Sequence, residues 1–563
     1  MTNIMQDIKE QLTAAIDAAV RELMQNGALP DSEIPAYTLE VPADRAHGDL
    51  SANIAMAGAR VFKMAPGKTA AAIKEQISLQ DTCCEKCEVA GPGFLNFYYS
   101  PAFYAAAVKL VEEHGRRYGE SDFGKKEKVL VEFVSANPTG PMHIGNARGG
   151  ALGDCLVAVM KAAGYDTATE FYVNDAGNQL EKFGLSLDIR YRQIFEGENA
   201  PELPEDSYHG DDIKDLASQY AGEKGDSLLK LSEAERRKAL IDFALPQNIL
   251  KMQSDMAKYG IVYDKWFYES DLHFSGAIDN VIEKLNSKGL TYEKENALWY
   301  NATAFGAEKD EVLIRSNGKP TYFAVDIAYH KNKFERGFSW LIDCWGADHH
   351  GHVARMKAAM NAVDENGDKL DIVLYQLVNL LQGGQAVRMS KRTGKAIQLA
   401  DLLDEVSCDA VRFTFNLHEP NISMDFDLDL AVKEDAQNPV YYVQYAHARI
   451  CSILRNLKAD GITPRSCSDE ELMLHTAAEE KELIRHIASY PDEIVRAAEK
   501  LDPSCITKYV INLATLFHKF YNACRVKGAP EPLMQARLSL CTAAKTVIRN
   551  VLTMFKVSVP ESM

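Results

Sequence analysis

The 563-residue sequence has no run of about 18 uninterrupted apolar residues, so an ordinary transmembrane helix is excluded. It also lacks a basic leader followed by an apolar stretch: Met1-Thr2-Asn3-Ile4-Met5-Gln6-Asp7 carries neither, and cytoplasm is the expected compartment. Internal repeats and low-complexity tracts are absent. The eleven cysteines are mostly scattered singly, as in reduced intracellular proteins. Only Cys83-Cys84-Glu85-Lys86-Cys87 contains a CxxC, and no second ligand pair of suitable spacing accompanies it, so no zinc is expected there. Positive charge is in deficit. A formal net charge of −18 taken alone argues against a polyanionic partner.

The distribution of charge argues the other way. From Cys505 to Pro560 the basic residues are Lys508, Lys519, Arg525, Lys527, Arg537, Lys545, Arg549 and Lys556, opposed only by Glu531. An acidic body with a basic C-terminal module suits local binding of a nucleic acid, although a solvated helical face has the same composition. Apolar residues at 46% and charged residues at 25% are ordinary for a globular chain, and the length calls for about three or four domains.

Residues 1–122 read as a small α+β domain. Ile8, Leu12, Ile16, Val20 and Leu23 recur at helical spacing over Ile4 to Met24, and a second helix is expected over Ser51 to Met64, ending before Pro66-Gly67. Val89 to Phe97 looks like a turn feeding a strand, and Gly124-Lys125-Lys126-Glu127-Lys128 like a linker. A second unit, 123–427, opens with the strand-like Val129 to Val134. The sequence Ser135-Ala136-Asn137-Pro138-Thr139-Gly140-Pro141 then forbids regular structure, a helix runs from near His143 to about Ala163, and Thr169 to Val173 is again strand-like. Strand, tight turn, helix, strand is the opening of a Rossmann-type parallel sheet. Residues from about 180 to 300 are polar and mostly helical and read as an insertion. Strand character returns at Glu311 to Ile314 and Ser339 to Asp343, and 428–563 is almost wholly helical.

Two short motifs carry chemistry. In Pro141-Met142-His143-Ile144-Gly145-Asn146 a helix N-terminus follows a strand, so exposed N–H groups and the helix dipole favour phosphate. His143 adds a donor for ATP, and Gly145 lets a nucleotide lie against the backbone. In Arg388-Met389-Ser390-Lys391-Arg392-Thr393-Gly394-Lys395, four cations within eight residues, with Gly383-Gly384 and Gly394 nearby, describe a basic loop able to close on a triphosphate. Either motif alone has a bland reading, as a capping turn or a solvated charge run.

Together the two motifs resemble the paired signatures of class I aminoacyl-tRNA synthetases, with Asn146 in place of the usual second histidine and Arg388 in place of the usual first lysine. Four further segments resemble the arginyl-tRNA synthetases in particular: Val131 to Pro141, Phe171 to Gln179, Pro320 to His330 and Trp345 to His352. His47-Gly48-Asp49 and Ala90 to Phe94 resemble that family's additional N-terminal domain, Asn438 to Arg449 the start of its helical anticodon-binding domain, and Val557 to Met563 its usual ending. The resemblance implies a multidomain α/β protein: a Rossmann-type parallel-sheet catalytic domain with an insertion, a small N-terminal α+β domain that contacts tRNA, and an all-α C-terminal domain. It implies ligation of L-arginine to tRNA(Arg) through an arginyl-adenylate, with ATP and Mg2+ and no zinc, by a cytoplasmic protein expected to be a monomer without membrane contact.

Carried over residue by residue, His143, Asn146 and Lys391 are the expected catalytic groups. His143, Gly145, Asn146, Asp348, His349, Arg388, Met389, Ser390 and Lys391 would hold ATP. Glu132, Ser135, Asn137, Tyr322, Asp326 and Asp348 would hold arginine. Lys519, Arg525, Lys527 and Arg549 would meet tRNA. The chemistry is consistent, because a guanidinium pairs bidentately with carboxylates. Tyr322 shares a helix face with Asp326 if that segment is helical. Glu132 has the alternative of a salt-bridged residue at a strand end, and Tyr322 that of a packed aromatic. Tyr441 and Tyr445, four residues apart, are expected in the core rather than stacked on anticodon bases. The histidines and Asp348 of Trp345 to His352 have possible metal spacing, but the resemblance assigns that turn to the adenosine and amino-acid pocket. Rival readings are a synthetase for another amino acid, lysine above all, a silent tRNA-binding paralogue, and a small nucleotidyltransferase.

Overall fold

The computed structural model describes residues 3–387 and 397–563. In the N-terminal unit the helix Ile4–Gln25 is capped by the Asn3 side chain and buries the predicted stripe of Ile8, Leu12, Ile16, Val20 and Leu23. It covers a four-stranded antiparallel sheet of order β1-β2-β4-β3, made of β1 (Leu39–Glu40), β2 (Leu50–Ala52), β3 (Cys84–Ala90) and β4 (Phe94–Tyr99). The single helix expected over Ser51 to Met64 is instead β2 followed by two one-turn helices, Ile54–Ala57 and Ala59–Phe62. They divide at Gly58, where any side chain would collide with the Phe62 ring. Pro66 opens the next helix, Pro66–Gln76, because a first-turn position needs no N–H. A register shift between Cys84 and Lys86 turns both Cys84 and Cys87 inward, so the CxxC is part of the packing of β3.

Residues 124–128 are not a loose linker. Gly124 N–H donates to Ala163 O at 2.8 Å and Lys126 N–H to Gly164 O at 2.9 Å, which binds this stretch to the end of the helix Ile144–Ala162. The central sheet has five parallel strands in the order β12-β11-β5-β6-β7: β5 (Lys128–Glu132), β6 (Asp166–Val173), β7 (Lys265–Tyr268), β11 (Trp340–Gly346) and β12 (Leu370–Tyr375). From β5 the chain proceeds outward through β6 and β7, while β11 and β12 lie on the other side. The strand order therefore reverses between β5 and β11, and ligands of open α/β sheets bind beyond the carboxyl ends of such a pair.

The stretch from 180 to 300 differs from the single helical insertion expected. Helices Asn178–Glu196, Asp211–Lys224 and Glu233–Lys258 share a separate small core around Phe183, Leu187, Ile213 and Leu240. The chain then rejoins the main sheet as β7, its edge strand. Next comes an antiparallel sheet of β8 (Thr291–Lys294), β9 (Ala297–Tyr300) and β10 (Glu311–Ile314), so Glu311 to Ile314 is outside the parallel sheet. Four-residue strands are too short to show a period, which hid β8 and β9 among the helices.

The C-terminal unit packs the helices Pro439–Ala459, Ala478–Ala488, Tyr490–Glu499, Ser504–Ala523 and Glu531–Met554. Its buried residues are continuous with those of the other two units. Arg485 meets Asp49 at 2.5 Å, and the segment after the last helix returns to the unit of the central sheet, where Lys556 Nζ contacts Asp154 Oδ1 at 2.7 Å. The fully buried Arg412 guanidinium bonds Asp154 and, 143 positions later in the chain, Phe555 O at 2.8 Å.

Candidate active site

At the carboxyl end of β5, the backbone turns sharply. Val134 and Ser135 adopt φ of 73° and 41°, left-handed values that strain a β-branched residue and recur at ligand sites. Tertiary bonds impose this turn: Tyr263 Oη donates to Phe133 O at 3.1 Å, and Tyr172 N–H to Ser135 Oγ at 3.1 Å. Asn137 is exposed beyond it. The helix Ile144–Ala162 then starts with His143 as its cap. Asn146 Oδ1 accepts from His143 N–H at 3.0 Å, which commits the amide oxygen and leaves the NH2 end to donate. Gly145 has a second role, because a Cβ there would lie 3.2 Å from the His143 ring. His143 is exposed, yet desolvation by the surrounding protein lowers its pKa, so at neutral pH it offers an uncharged imidazole.

Arg388, Met389, Ser390 and Lys391 lie outside the described residues, as does the rest of the basic loop to residue 396. The residues that follow the loop are placed beside the first motif: Gln398 bridges to His143, and Leu399 N–H donates to Met142 O at 2.9 Å. Gln398 and Leu399 thus lie at the start of the helix Ile144–Ala162.

The helix Tyr322–Glu335 brings Tyr322 and Asp326 onto one face, one turn apart, as its spacing implied. Tyr322 is 43% exposed and lies under the Arg315 guanidinium, so it is not a packed core aromatic. Asp326 pairs with His352 Nε2 at 3.1 Å. Tyr322 also lines a cavity of about 620 Å³ together with Asn178, Glu181, Glu269 and Arg315. The tyrosine at 172 reveals how acidic this region is. Burial raises its pKa far above the ordinary value, and Glu269, Asp326 and Glu132 push it further the same way. Its hydroxyl donates to Glu269 Oε2 at 2.9 Å. Glu269, buried at the end of β7, belongs to no motif, and nothing in the sequence singled it out.

Glu132 is both at the site and salt-bridged. Lys333, with 0% side-chain exposure, places Nζ 2.5 Å from Glu132 Oε2 and 2.8 Å from Asp343 Oδ1. His330 completes the row, with Nε2 2.7 Å from Asp343 Oδ2 and Nδ1 2.7 Å from Asp326 O. Burial works against the charge on Lys333, but Asp343 and Glu132 outweigh it and hold its pKa above the ordinary lysine value. Neither Lys333 nor His330 was expected from the sequence as part of the site. Removing one partner of such a group strands the others, so Lys333→Met should cost about 3–5 kcal/mol of stability. Urea unfolding reads this directly, and an unshifted midpoint would show the row to be dispensable.

Asp348 and His349 are exposed just beyond the end of β11, the strand paired with β5. Trp345 packs against the rings of His349 and His352. Among the described residues no group of three or more histidine, cysteine, aspartate or glutamate side chains is arranged to hold a metal ion.

The expected tRNA residues do not form one patch. Lys519, Arg525 and Lys527 are exposed at or just beyond the end of the helix Ser504–Ala523, with Lys527 paired to Asp460 at 2.6 Å. Arg549 lies toward the far end of the antiparallel helix Glu531–Met554, in a separate cavity. Tyr441 and Tyr445 require a correction. Instead of entering the core they stack on each other with ring centroids 6.4 Å apart, and Tyr445 is 41% exposed. The buried stripe of their helix runs through Val440, Val443, His447 and Ile450, which turns the tyrosines outward beside His518.

Three family models match the chain in succession: the arginyl tRNA synthetase N terminal domain over residues 6–99, the class I (R) tRNA synthetase catalytic domain over 108–452, and the DALR anticodon binding domain over 443–563. The arginine--tRNA ligase of Acetivibrio thermocellus is 50% identical, with all of both chains covered. That of Caldanaerobacter subterraneus subsp. tengcongensis is 53% identical over the same full span. Thermus thermophilus arginyl-tRNA synthetase shares the fold with a TM-score of 0.72 at 21% identity, covering 98% of this chain and 100% of its own. With carboxylates at the strand-order reversal, a helix starting at His143 beyond β5 and a full-length match at half identity, the chain belongs to the arginyl-tRNA synthetases, within class I of the aminoacyl-tRNA synthetases.

Proposed function

We propose that this arginine--tRNA ligase converts ATP, L-arginine and tRNA(Arg) to arginyl-tRNA(Arg), AMP and diphosphate through the residues gathered beyond β5 and β11. The observation that carries the substrate assignment is the placement of carboxylates at the end of the sheet, with Glu269 bonded to the Tyr172 hydroxyl and lining one cavity with Tyr322, and Asp326 one helical turn from Tyr322, an arrangement suited to a guanidinium. Asp326 and Glu132 face the guanidinium, with Tyr322 beside it, and Ser135, Asn137 and Asp348 hold the amino-acid end. His143, Gly145, Asn146 and His349 seat ATP, and Arg388, Met389, Ser390 and Lys391 close over its phosphates. The arginine carboxylate attacks the α-phosphate and diphosphate leaves. A ribose hydroxyl at the tRNA terminus then attacks the mixed anhydride and releases AMP. Positioning and charge stabilisation suffice for both steps, and no protein nucleophile is needed. Magnesium would accompany ATP and neutralise charge on its phosphates. No zinc site is invoked. Charging assays on total tRNA with each of the twenty amino acids test the assignment. Arginine alone should be charged, and comparable charging of lysine would overturn it.

The domain division we favour is 1–122, 123–427 and 428–563, with the N-terminal domain contacting tRNA. The protein acts as a cytoplasmic monomer. Free cysteines throughout support a reducing compartment, and no helix among the described residues is long and apolar enough to cross a membrane. The anticodon loop meets the stacked Tyr441 and Tyr445, with Lys519, Arg525 and Lys527 on the backbone. Base stacking on an exposed aromatic is worth about 1–3 kcal/mol, so Tyr445→Ala should weaken tRNA(Arg) binding by about 5- to 150-fold. Lys519→Gln with Arg525→Gln should instead flatten the salt dependence of binding. Filter binding across a salt series separates the two, and unchanged affinity in both variants would place the tRNA elsewhere.

A further inference from the structure

Where the three units meet, a cavity of about 600 Å³ is built from parts of all three. Arg116 comes from the N-terminal side, Lys161 from the last turn of the helix that begins at His143, and Lys545 and Arg549 from the helix Glu531–Met554. None of these four cations makes an ion pair or side-chain hydrogen bond among the described residues, and Arg549 Nε is buried without a partner. The cavity's carboxylates are Glu120, which already pairs with Arg117 at 3.1 Å, and Glu561. The lining therefore carries an excess of positive charge. His447, at its edge, registers this: burial lowers its pKa, and Lys545 and Arg549 lower it further.

The second feature is Tyr490. Its side chain is completely buried, it lines the cavity, and its hydroxyl has no hydrogen-bond partner. Ile494 and Met554 continue an apolar wall beside its ring. Buried polar groups in folded proteins are almost always paired, and an unpaired hydroxyl and an unpaired guanidine N–H on residues that line one cavity with surplus cations describe a seat for an anion. The volume is that of a small-molecule site and exceeds what a bare phosphate fills.

We propose that this cavity binds a small phosphomonoester. The four cations and the Tyr490 hydroxyl take the phosphoryl group, and the apolar wall takes the organic body. A dianion matches the excess of four cations over two carboxylates. The occupant would tie the connection at Arg116, the helix that starts at the ATP site and the helical C-terminal unit to one another. The site is separate from the ATP and arginine pockets and does not depend on the assignments made there.

Phenyl phosphate is the probe, titrated calorimetrically into the full-length protein at low ionic strength. One saturable site is expected, with affinity lowered about tenfold or more by Lys161→Gln combined with Lys545→Gln. Tyr490→Phe keeps the ring and the packing and should weaken binding severalfold at an unaltered melting temperature. Lys519→Gln with Arg525→Gln, at the distant end of the C-terminal unit, should leave it as it is. Inorganic phosphate should bind to the same site more weakly, and equal affinity would overturn the organic ligand. Absence of saturable binding, or full binding in the Lys161→Gln, Lys545→Gln protein, would overturn the site. Complete displacement of the probe by tRNA(Arg) would give the cavity to a backbone phosphate and likewise overturn it.

Discussion

Asp326→Asn should lower kcat/KM for arginine by about 2–5 kcal/mol, or roughly 30- to several-thousand-fold, with melting behaviour almost unchanged. The substitution keeps the shape of the side chain and removes one of the charges that a guanidinium would pair with. Asp326 suits the test because it sits on an open helix face with His352 as its hydrogen-bonding partner, so its loss disturbs little else. Glu132→Gln should cost a similar amount in kcat/KM but also destabilise the protein, since Lys333 then keeps only Asp343 as a full countercharge. Lysine, a compact ammonium without a planar fork, should remain a poor substrate for all three proteins, whereas canavanine should compete well with arginine. Diphosphate release in the presence of tRNA measures every arm. Normal charging of arginine by both variants would mean that the pocket lies elsewhere.

Lys391→Ala should reduce kcat for arginine activation by about 10²-fold or more while arginine affinity holds steady, because a cation stabilising the departing diphosphate acts only in the transition state. Its setting supports the role. The described chain resumes beside the His143 turn, where Gln398 bridges to His143 and Leu399 N–H donates to Met142 O. A variant with full kcat would remove Lys391 from the chemistry.

Much of the architecture was legible because its signals are local. The helix Ile4–Gln25 shows an apolar stripe, β5 and β6 are apolar runs, and the helix after His143 is announced by the Pro-Thr-Gly-Pro turn before it. β7 was not legible, since four residues of mixed character show no period and their place at the sheet edge is decided by pairing with β6. The same limit applies to the site. Glu132, Tyr322 and Asp326 stand in recognisable segments, whereas Glu269, Lys333 and His330 matter only through neighbours brought together by folding. Tyr441 and Tyr445 were misplaced for a related reason. A four-residue spacing puts two side chains on one face of a helix but does not say whether that face looks inward.

The bond from Arg412 to Phe555 has a consequence for biosynthesis. During translation the sheet and its surrounding helices leave the ribosome well before residue 555, and until then a fully enclosed guanidinium lacks one of its acceptors. The neighbouring Asp154 likewise waits for Lys556. A nascent or prematurely terminated chain would hold a nearly complete nucleotide-binding unit with an unfilled keystone, and so would be an easy substrate for proteolysis. An enzyme that charged tRNA before it could inspect the anticodon would endanger the code. Here the same late residues that anchor the anticodon-reading helices also finish the catalytic core, so the two capacities mature together.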